Sequence, residues 1–273
     1  MIKFENTEVE GWRAAVRGMR NPMNSWDKSD STYCSEYNCD RCGKYSEYFE
    51  LCSDVKFGDY VIGPNDYNLM LRLSQAGTDH SKFLRMINVT VDITAPMYWW
   101  KEFDTYKVGT VRNSCSTMHK IHDKRFTLDD FSCEHLKHFE WKTETYETIT
   151  HKAYNFALTL ESLILTLNIA RSRYLETKDK DYWWQMIQLL PSSYNQKATV
   201  QLNYQVLRNI YHSERKKHKL DEWRIGFMEW IESLPYSELI TETVSKKETD
   251  AENETTTDDH FCDATKKIDL VEE

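Results

Sequence analysis

Between residues 87 and 94 the chain reads INVTVDIT, eight residues in strict alternation. Ile87, Val89, Val91 and Ile93 fall on one side and Asn88, Thr90, Asp92 and Thr94 on the other, which predicts a strand with one buried and one polar face. Pro96 closes it. The rest of the chain reads mainly at helical period. Residues 7–20 place Trp12, Val16 and Met19 on one helical face, and Asn65 or Asp66 can cap a short helix that Gly77 ends. Residues 150–174 carry an apolar stripe of Phe156, Leu160, Leu163, Leu167 and Ala170. Further helices fit 180–189, 198–213 and 220–233, punctuated by Pro191 and Pro235. The class is α+β, with an antiparallel or mixed sheet drawn from the first half and long helices from the second.

At 273 residues, 40% of them apolar, the chain can build a substantial core. Charge divides it. Residues 241–273 hold eleven acidic and four basic side chains, or −7 of the total −9, so residues 1–240 are nearly neutral. That segment has few large apolar residues and reads as a disordered acidic tail behind a 1–240 domain. A near-neutral body lacks the basic excess of a duplex-DNA binder, so no nucleic-acid partner is expected. No apolar run is long enough to span a bilayer, and MIKFENTEVE lacks a secretory signal's apolar stretch, so the expected setting is cytoplasmic.

Two stretches carry a more specific pattern. In the first, His80, the strand INVTVDIT and Ala95-Pro96 precede TYKVGTVRNSCSTMHK, in which Asn113 and Ser116 are spaced Asn-x-x-Ser. In the second, Leu190-Pro191 is followed twelve residues on by Asn203, then by Asn209, His218 and Glu222. Order and spacing resemble the flavin-dependent thymidylate synthases, with Lys107 at the third position of their arginine-rich signature and Thr110 at its first serine. The resemblance covers roughly 80 residues. It implies that family's fold, with an insertion over 31–58 that holds four cysteines. It also implies FAD as cofactor, NADPH and methylenetetrahydrofolate as co-substrates, dUMP as substrate and a homotetramer as assembly. The implied chemistry is transfer of one carbon to C5 of dUMP with hydride from reduced flavin, and it needs no enzyme nucleophile.

By the same resemblance His80, Lys107, Asn203 and Asn209 would contact the flavin. Arg112, Asn113, Ser114, Ser116, Lys120, Arg208 and Arg215 would contact the nucleotide. The pattern departs where the family grips its nucleotide. Thr105-Tyr106 replace Arg-His, Arg85-Met86 replace Glu-His, and Met118 and Ile187 stand where arginines are expected. Glu214 replaces a further arginine, with Arg215 one step away. Each change removes a planar donor suited to phosphate or uracil oxygens. Another pyrimidine nucleotide as substrate, or a non-catalytic homologue that binds nucleotide or flavin, therefore stands beside thymidylate synthesis.

Other groups have plainer readings as well. Ser114 and Ser116 also suit a turn cap after Gly109. Trp99-Trp100 and Trp183-Trp184 could stack on a flat ligand but read better as core or interface. Cys34, Cys39, Cys42 and Cys52 include one Cys-x-x-Cys pair and could complete a structural zinc shell, or be ordinary loop thiols. His119, His122, His135, His138 and Cys133 are scattered too widely for a convincing metal motif.

Overall fold

The computed structural model describes residues 2–34, 58–145 and 148–243, leaving aside the side chains of 138–155. Cys39, Cys42, Cys52 and the acidic segment from residue 244 lie outside the described residues. The unit formed is Met1–Glu242. Its strands are β1 (Lys3–Glu10), β2 (Thr32–Tyr33), β3 (Tyr60–Val61), β4 (Asn88–Pro96), β5 (Val111–Ser114), β6 (His138–Thr145), β7 (Thr148–Asn155) and β8 (Asn195–Asn203). Its helices are α1 (Trp12–Arg20), α2 (Pro64–Gln75), α3 (Met97–Phe103), α4 (Thr117–Lys120) and α5 (Phe156–Thr177). There follow α6 (Lys180–Leu189), α7 (Tyr204–Tyr211), a π-helical turn (Glu222–Phe227) running into α8 (Met228–Glu232), and α9 (Glu238–Thr241).

The INVTVDIT alternation is β4, and all four of its apolar side chains are fully buried. It lies inside a four-stranded antiparallel sheet of order β1-β4-β8-β5. On β8, Ala198, Val200 and Leu202 continue the buried face, while Lys197, Thr199 and Gln201 line up with Thr94, Asp92 and Thr90 on the polar one. Beneath the apolar face Trp99 stacks on Trp223 at 4.8 Å and on Phe103 at 5.0 Å between ring centroids. Leu207 and Ile210 of α7, both fully buried, close this core. Trp99 and Trp100 are thus core residues, as their plainer reading had it.

A second, smaller core joins Leu160, Leu167 and Ala170 of α5 to Met186 of α6 and to Ile121, Phe126 and Phe131. The loop is strapped on by Asn168, whose amide bonds both the N–H and the carbonyl of Phe126 at 2.9 Å. Arg171 adds bonds to the carbonyls of His122 and Asp123.

Several expected helices are shorter or displaced, each for an identifiable reason. Residues 7–10 belong to β1, because Phe4 and Val9 pair with the buried positions Ile93 and Val89 of β4. Gly11 then turns the chain at φ 98, where an added Cβ would sit 1.9 Å from the Met86 carbonyl, and α1 starts only at Trp12. Residues 198–203 are the central strand β8 rather than the head of a helix, and the helix begins at Tyr204. Residues 150–155 pair in the β6–β7 hairpin, leaving α5 to start at Phe156. The sheet therefore takes three strands from the first half of the chain and β8 from the second. The start of α2 is capped neither by Asn65 nor by Asp66. Asp30 accepts both of their N–H groups, at 2.9 and 3.0 Å.

Asp66 is instead the buried end of an ion pair. Arg20 reaches its Oδ1 through two nitrogens at 2.6 Å, and Ser29 and Ser31 donate to Oδ2. Burial pushes this carboxyl up, but the two hydroxyls and the guanidinium outweigh it and hold it below its ordinary value.

Candidate functional site

Where the two cores meet, a cavity of about 410 Å³ opens to solvent. Its walls come from both stretches singled out in the sequence. Ser114, at the end of β5, leads through Cys115 and Ser116 into Thr117 and Met118 of α4. Ile187 of α6, Leu190 just beyond it, Met97 and Gln196 complete the lining.

The geometry explains the hydroxyls. Ser116 caps α4, its Oγ accepting the His119 N–H at 3.2 Å, so capping and cavity lining belong to the same residue. Gln196 donates through Nε2 to the Cys115 carbonyl and to Thr117 Oγ1, both at 3.0 Å. Its Oε1 accepts from Arg112 Nη2 at 2.6 Å. The loop is thereby clamped to β8, and Ser116 and Thr117 each keep a hydroxyl hydrogen to give. Sequence reasoning did not single out Gln196, Cys115, Thr117 or Met97 for the site. The register that sets Gln196 opposite Ala95 is a long-range fact with no local signal.

The expected nucleotide contacts divide sharply. Ser114 and Ser116 line the cavity, whereas Asn113 is exposed on the polar face of β5 opposite Thr199. Arg112 sits 4.0 Å over the Trp100 ring, with Nη1 held by both oxygens of Asp104 at 2.7 and 2.8 Å; only Nε is buried without a partner. Arg208 donates to the carbonyls of Leu239, Ile240 and Glu242, tying down α9. Arg215 lies over Trp223 and bonds Tyr106 Oη at 2.7 Å and Glu102 at 2.9 Å. Burial lowers the Arg215 pKa, but Tyr106 and Glu102 outweigh it and raise the group above its ordinary value. Tyr106, a departure from the family pattern, is thus bonded to Arg215, the neighbour of another, Glu214. Lys120 pairs with Asp123 at 2.9 Å on an exposed turn.

The expected flavin contacts form an open strip instead of a cavity. Asn203 caps α7 by accepting the Val206 N–H at 3.1 Å. The exposed Asn209 accepts from Gln205, which also takes a bond from Ser81, the neighbour of His80. With Oδ1 of both asparagines engaged internally, each amide nitrogen remains to donate outward. Gly109, at φ 73, lets the Lys107 loop approach; a Cβ there would stand 3.1 Å from Asn203 Nδ2 and Val206 Cγ2. Lys107 and His80 are exposed beside this strip.

Among the described residues no group of three or more metal-binding side chains converges. His122 packs on Tyr174, while His135 faces Asp221. Cys34 is the described member of the cysteine quartet, and its backbone pairs with Asp59 and Gly58.

No protein-family profile matches this sequence, and neither does any curated protein. Similarity appears in three dimensions. Thymidylate synthase X from Helicobacter pylori, in a structure with FAD and dUMP, superposes with a TM-score of 0.55 at 13% identity, over 88% of this chain and 97% of that one. A second structure of the Helicobacter pylori flavin-dependent enzyme with FAD and dUMP gives 0.53 at the same identity and coverage. The fold is that of a flavin-dependent thymidylate synthase.

Proposed function

We propose that the protein is a FAD-dependent, thymidylate synthase-like enzyme. It transfers a one-carbon unit from methylenetetrahydrofolate to C5 of a pyrimidine nucleotide, with dUMP as the reference substrate and NADPH as reductant. The observation that carries this reading is convergence. Ser114–Met118 and Ile187–Leu190, some 70 residues apart in the chain, line one cavity in a fold whose solved neighbour holds FAD and dUMP. FAD, when bound, would supply the hydride. The chain's own task is to place the ring. The Ser116 and Thr117 hydroxyls would donate to the base carbonyls, Met97, Met118 and Ile187 would exclude water from its faces, and the Asn203–Asn209 strip would hold the flavin edge.

The open strip supports a second copy as part of the working enzyme. On α5, Leu165 is 60% and Ile169 57% exposed, on the side opposite the buried Leu167. An antiparallel pairing centred at the level of residue 167 sets Leu165 against Ile169 of the partner subunit and Glu161 against Arg173 of the partner subunit. Apolar and charged positions are complementary in the same register. Among the described residues no helix is long and apolar enough to cross a membrane, and a cytoplasmic enzyme is part of the same reading. The cysteine quartet remains a candidate zinc site, to be settled by metal analysis of the purified protein.

The test is titration with FAD followed by absorbance and fluorescence. Saturable binding near one flavin per chain, with product methylated at C5 from dUMP, is the expected result. Colourless protein whose addition leaves FAD fluorescence unchanged would remove the enzyme reading and leave a homologue that keeps only the fold.

A further inference from the structure

The cavity has a property that the proposed reaction does not require. All nine of its lining side chains are uncharged. A phosphate dianion needs charged or multiple N–H partners to offset the loss of its hydration. Among the described residues, the cations nearest the cavity in sequence are committed elsewhere. Arg112 reaches the cavity only through Gln196 and spends Nη1 on Asp104. Lys120, two residues beyond Met118, is 71% exposed and paired with Asp123. The polar groups that do face the cavity have a definite sense. Ser116 Oγ has accepted one N–H and Thr117 Oγ1 another, so each hydroxyl has its hydrogen left to donate. Two donors beside methionine and isoleucine side chains complement a flat ring edged with carbonyl oxygens, and the volume suits a ligand of that size.

We propose that this cavity recognises an uncharged uracil nucleoside, base inward, and draws no affinity from a 5′-phosphate. The inference rests on the reading of the cavity as the pyrimidine site. dUMP would bind through its base and sugar with the phosphate left in solvent. A cytosine nucleoside, with an amine in place of one carbonyl, would be disfavoured because two donors would meet.

The experiment is calorimetric titration of the full chain, saturated with FAD, by deoxyuridine, dUMP and deoxycytidine. Deoxyuridine and dUMP should bind within about threefold of each other, and deoxycytidine about tenfold more weakly, the scale of one lost hydrogen bond. Met118→Arg removes a lining contact from both ligands alike and adds a cation at a half-exposed position, so it should raise the ratio of dUMP to deoxyuridine affinity about tenfold. Wild-type protein that binds dUMP at least tenfold tighter than deoxyuridine would overturn the inference while leaving the pyrimidine site in place. A ratio of dUMP to deoxyuridine affinity that stays unchanged in Met118→Arg would also count against it. Binding of none of the three would overturn both the inference and the site on which it rests.

Discussion

The two cores of this protein are finished to different degrees. In the sheet core, β4 and β8 are flanked on both sides, Trp99, Phe103 and Trp223 stack on one another, and the buried Arg20–Asp66 ion pair has both carboxylate oxygens bonded. In the smaller core, α5 buries Leu160, Leu167 and Ala170 while Leu165 and Ile169 of the same helix face outward. An amphipathic helix needs one apolar stripe, and α5 has two. The sheet core closes over its own apolar side chains, whereas the helical layer leaves Leu165 and Ile169 exposed. The cavity lies where they meet, with Met97 and Gln196 on the complete side and Ile187 and Leu190 on the other.

The largest expected effect lies on the complete side. Arg20→Ala would leave Asp66 buried without its cation, and loss of one partner of such a pair costs about 3–5 kcal/mol. Urea denaturation at neutral pH would measure it. The pair also sets an acid limit. The folded Asp66 carboxyl titrates below its unfolded value, so its contribution is fully present above the unfolded value and is lost as pH falls through the folded one. Asp66→Asn should therefore flatten stability against pH on the acid side below the ordinary carboxylate range. An Arg20→Ala protein as stable as wild type would mean that the sheet core does not depend on the pair.

The next test compares two leucines two residues apart. Leu167→Ala opens a void in the helical core and should cost about 2–5 kcal/mol, because the side chain is fully buried. Leu165→Ala should change the stability of a single subunit by no more than about 0.5 kcal/mol. Leu165→Glu should instead lower the assembly's mass in light scattering by removing the self-complementary face. Monomeric wild-type protein would remove the second copy from the proposed reading.

What the sequence revealed follows the range of the interactions involved. β4 was legible because its alternation and its stop at Pro96 are local. β8 was not, because the alternation of Ala198, Val200 and Leu202 runs without a break into the helical spacing of Leu207 and Ile210. The switch is the single cap Asn203. The start of α2 depends on Asp30, some 35 residues away, and no local rule reports that. Of the cavity's lining, Ser114 and Ser116 were named through the family resemblance, and Met118 and Ile187 only as departures from it. Gln196 was hidden because only strand register brings it to the cavity. The cations were harder, since a sequence shows that Arg112, Arg208 and Arg215 exist but not that Asp104, the α9 carbonyls and Glu102 already hold them.

Arg208 turns that distinction into a smaller prediction. It donates three bonds to backbone carbonyls around the end of α9, and charged hydrogen bonds contribute about 1.5–3 kcal/mol each before relaxation. Arg208→Ala should lower stability by roughly that amount in total, with water replacing part of the loss, and leave FAD and uracil-ligand affinities unchanged. His212 braces the same segment through the Ile240 carbonyl at 2.7 Å. Burial holds its pKa below the ordinary histidine value, so the segment should loosen as pH falls through that depressed value. A drop in ligand affinity without loss of stability would return Arg208 to the binding site.

The smallest expected effect is at Lys120, and it bears most directly on the cavity between the two regions. Its ammonium lies 2.9 Å from Asp123 in an i,i+3 pair, with 71% of the lysine side chain and 48% of the aspartate exposed. Lys120 is the first cause holding Asp123 below its ordinary pKa, yet both groups remain in solvent, where such pairs contribute little and weaken with salt. Lys120→Ala should therefore shift Tm by no more than about 1 °C. Affinities for deoxyuridine and dUMP should stay within about twofold of wild type. If phosphate binding belongs to the cavity after all, Lys120 is the cation on the α4 turn nearest in sequence to Met118 and able to swing toward it. A tenfold loss of dUMP affinity, with deoxyuridine unaffected, would reveal that swing and assign the phosphate to the α4 turn. Equal affinities in wild type and variant would leave the cavity as a site for the uncharged part of the ligand alone.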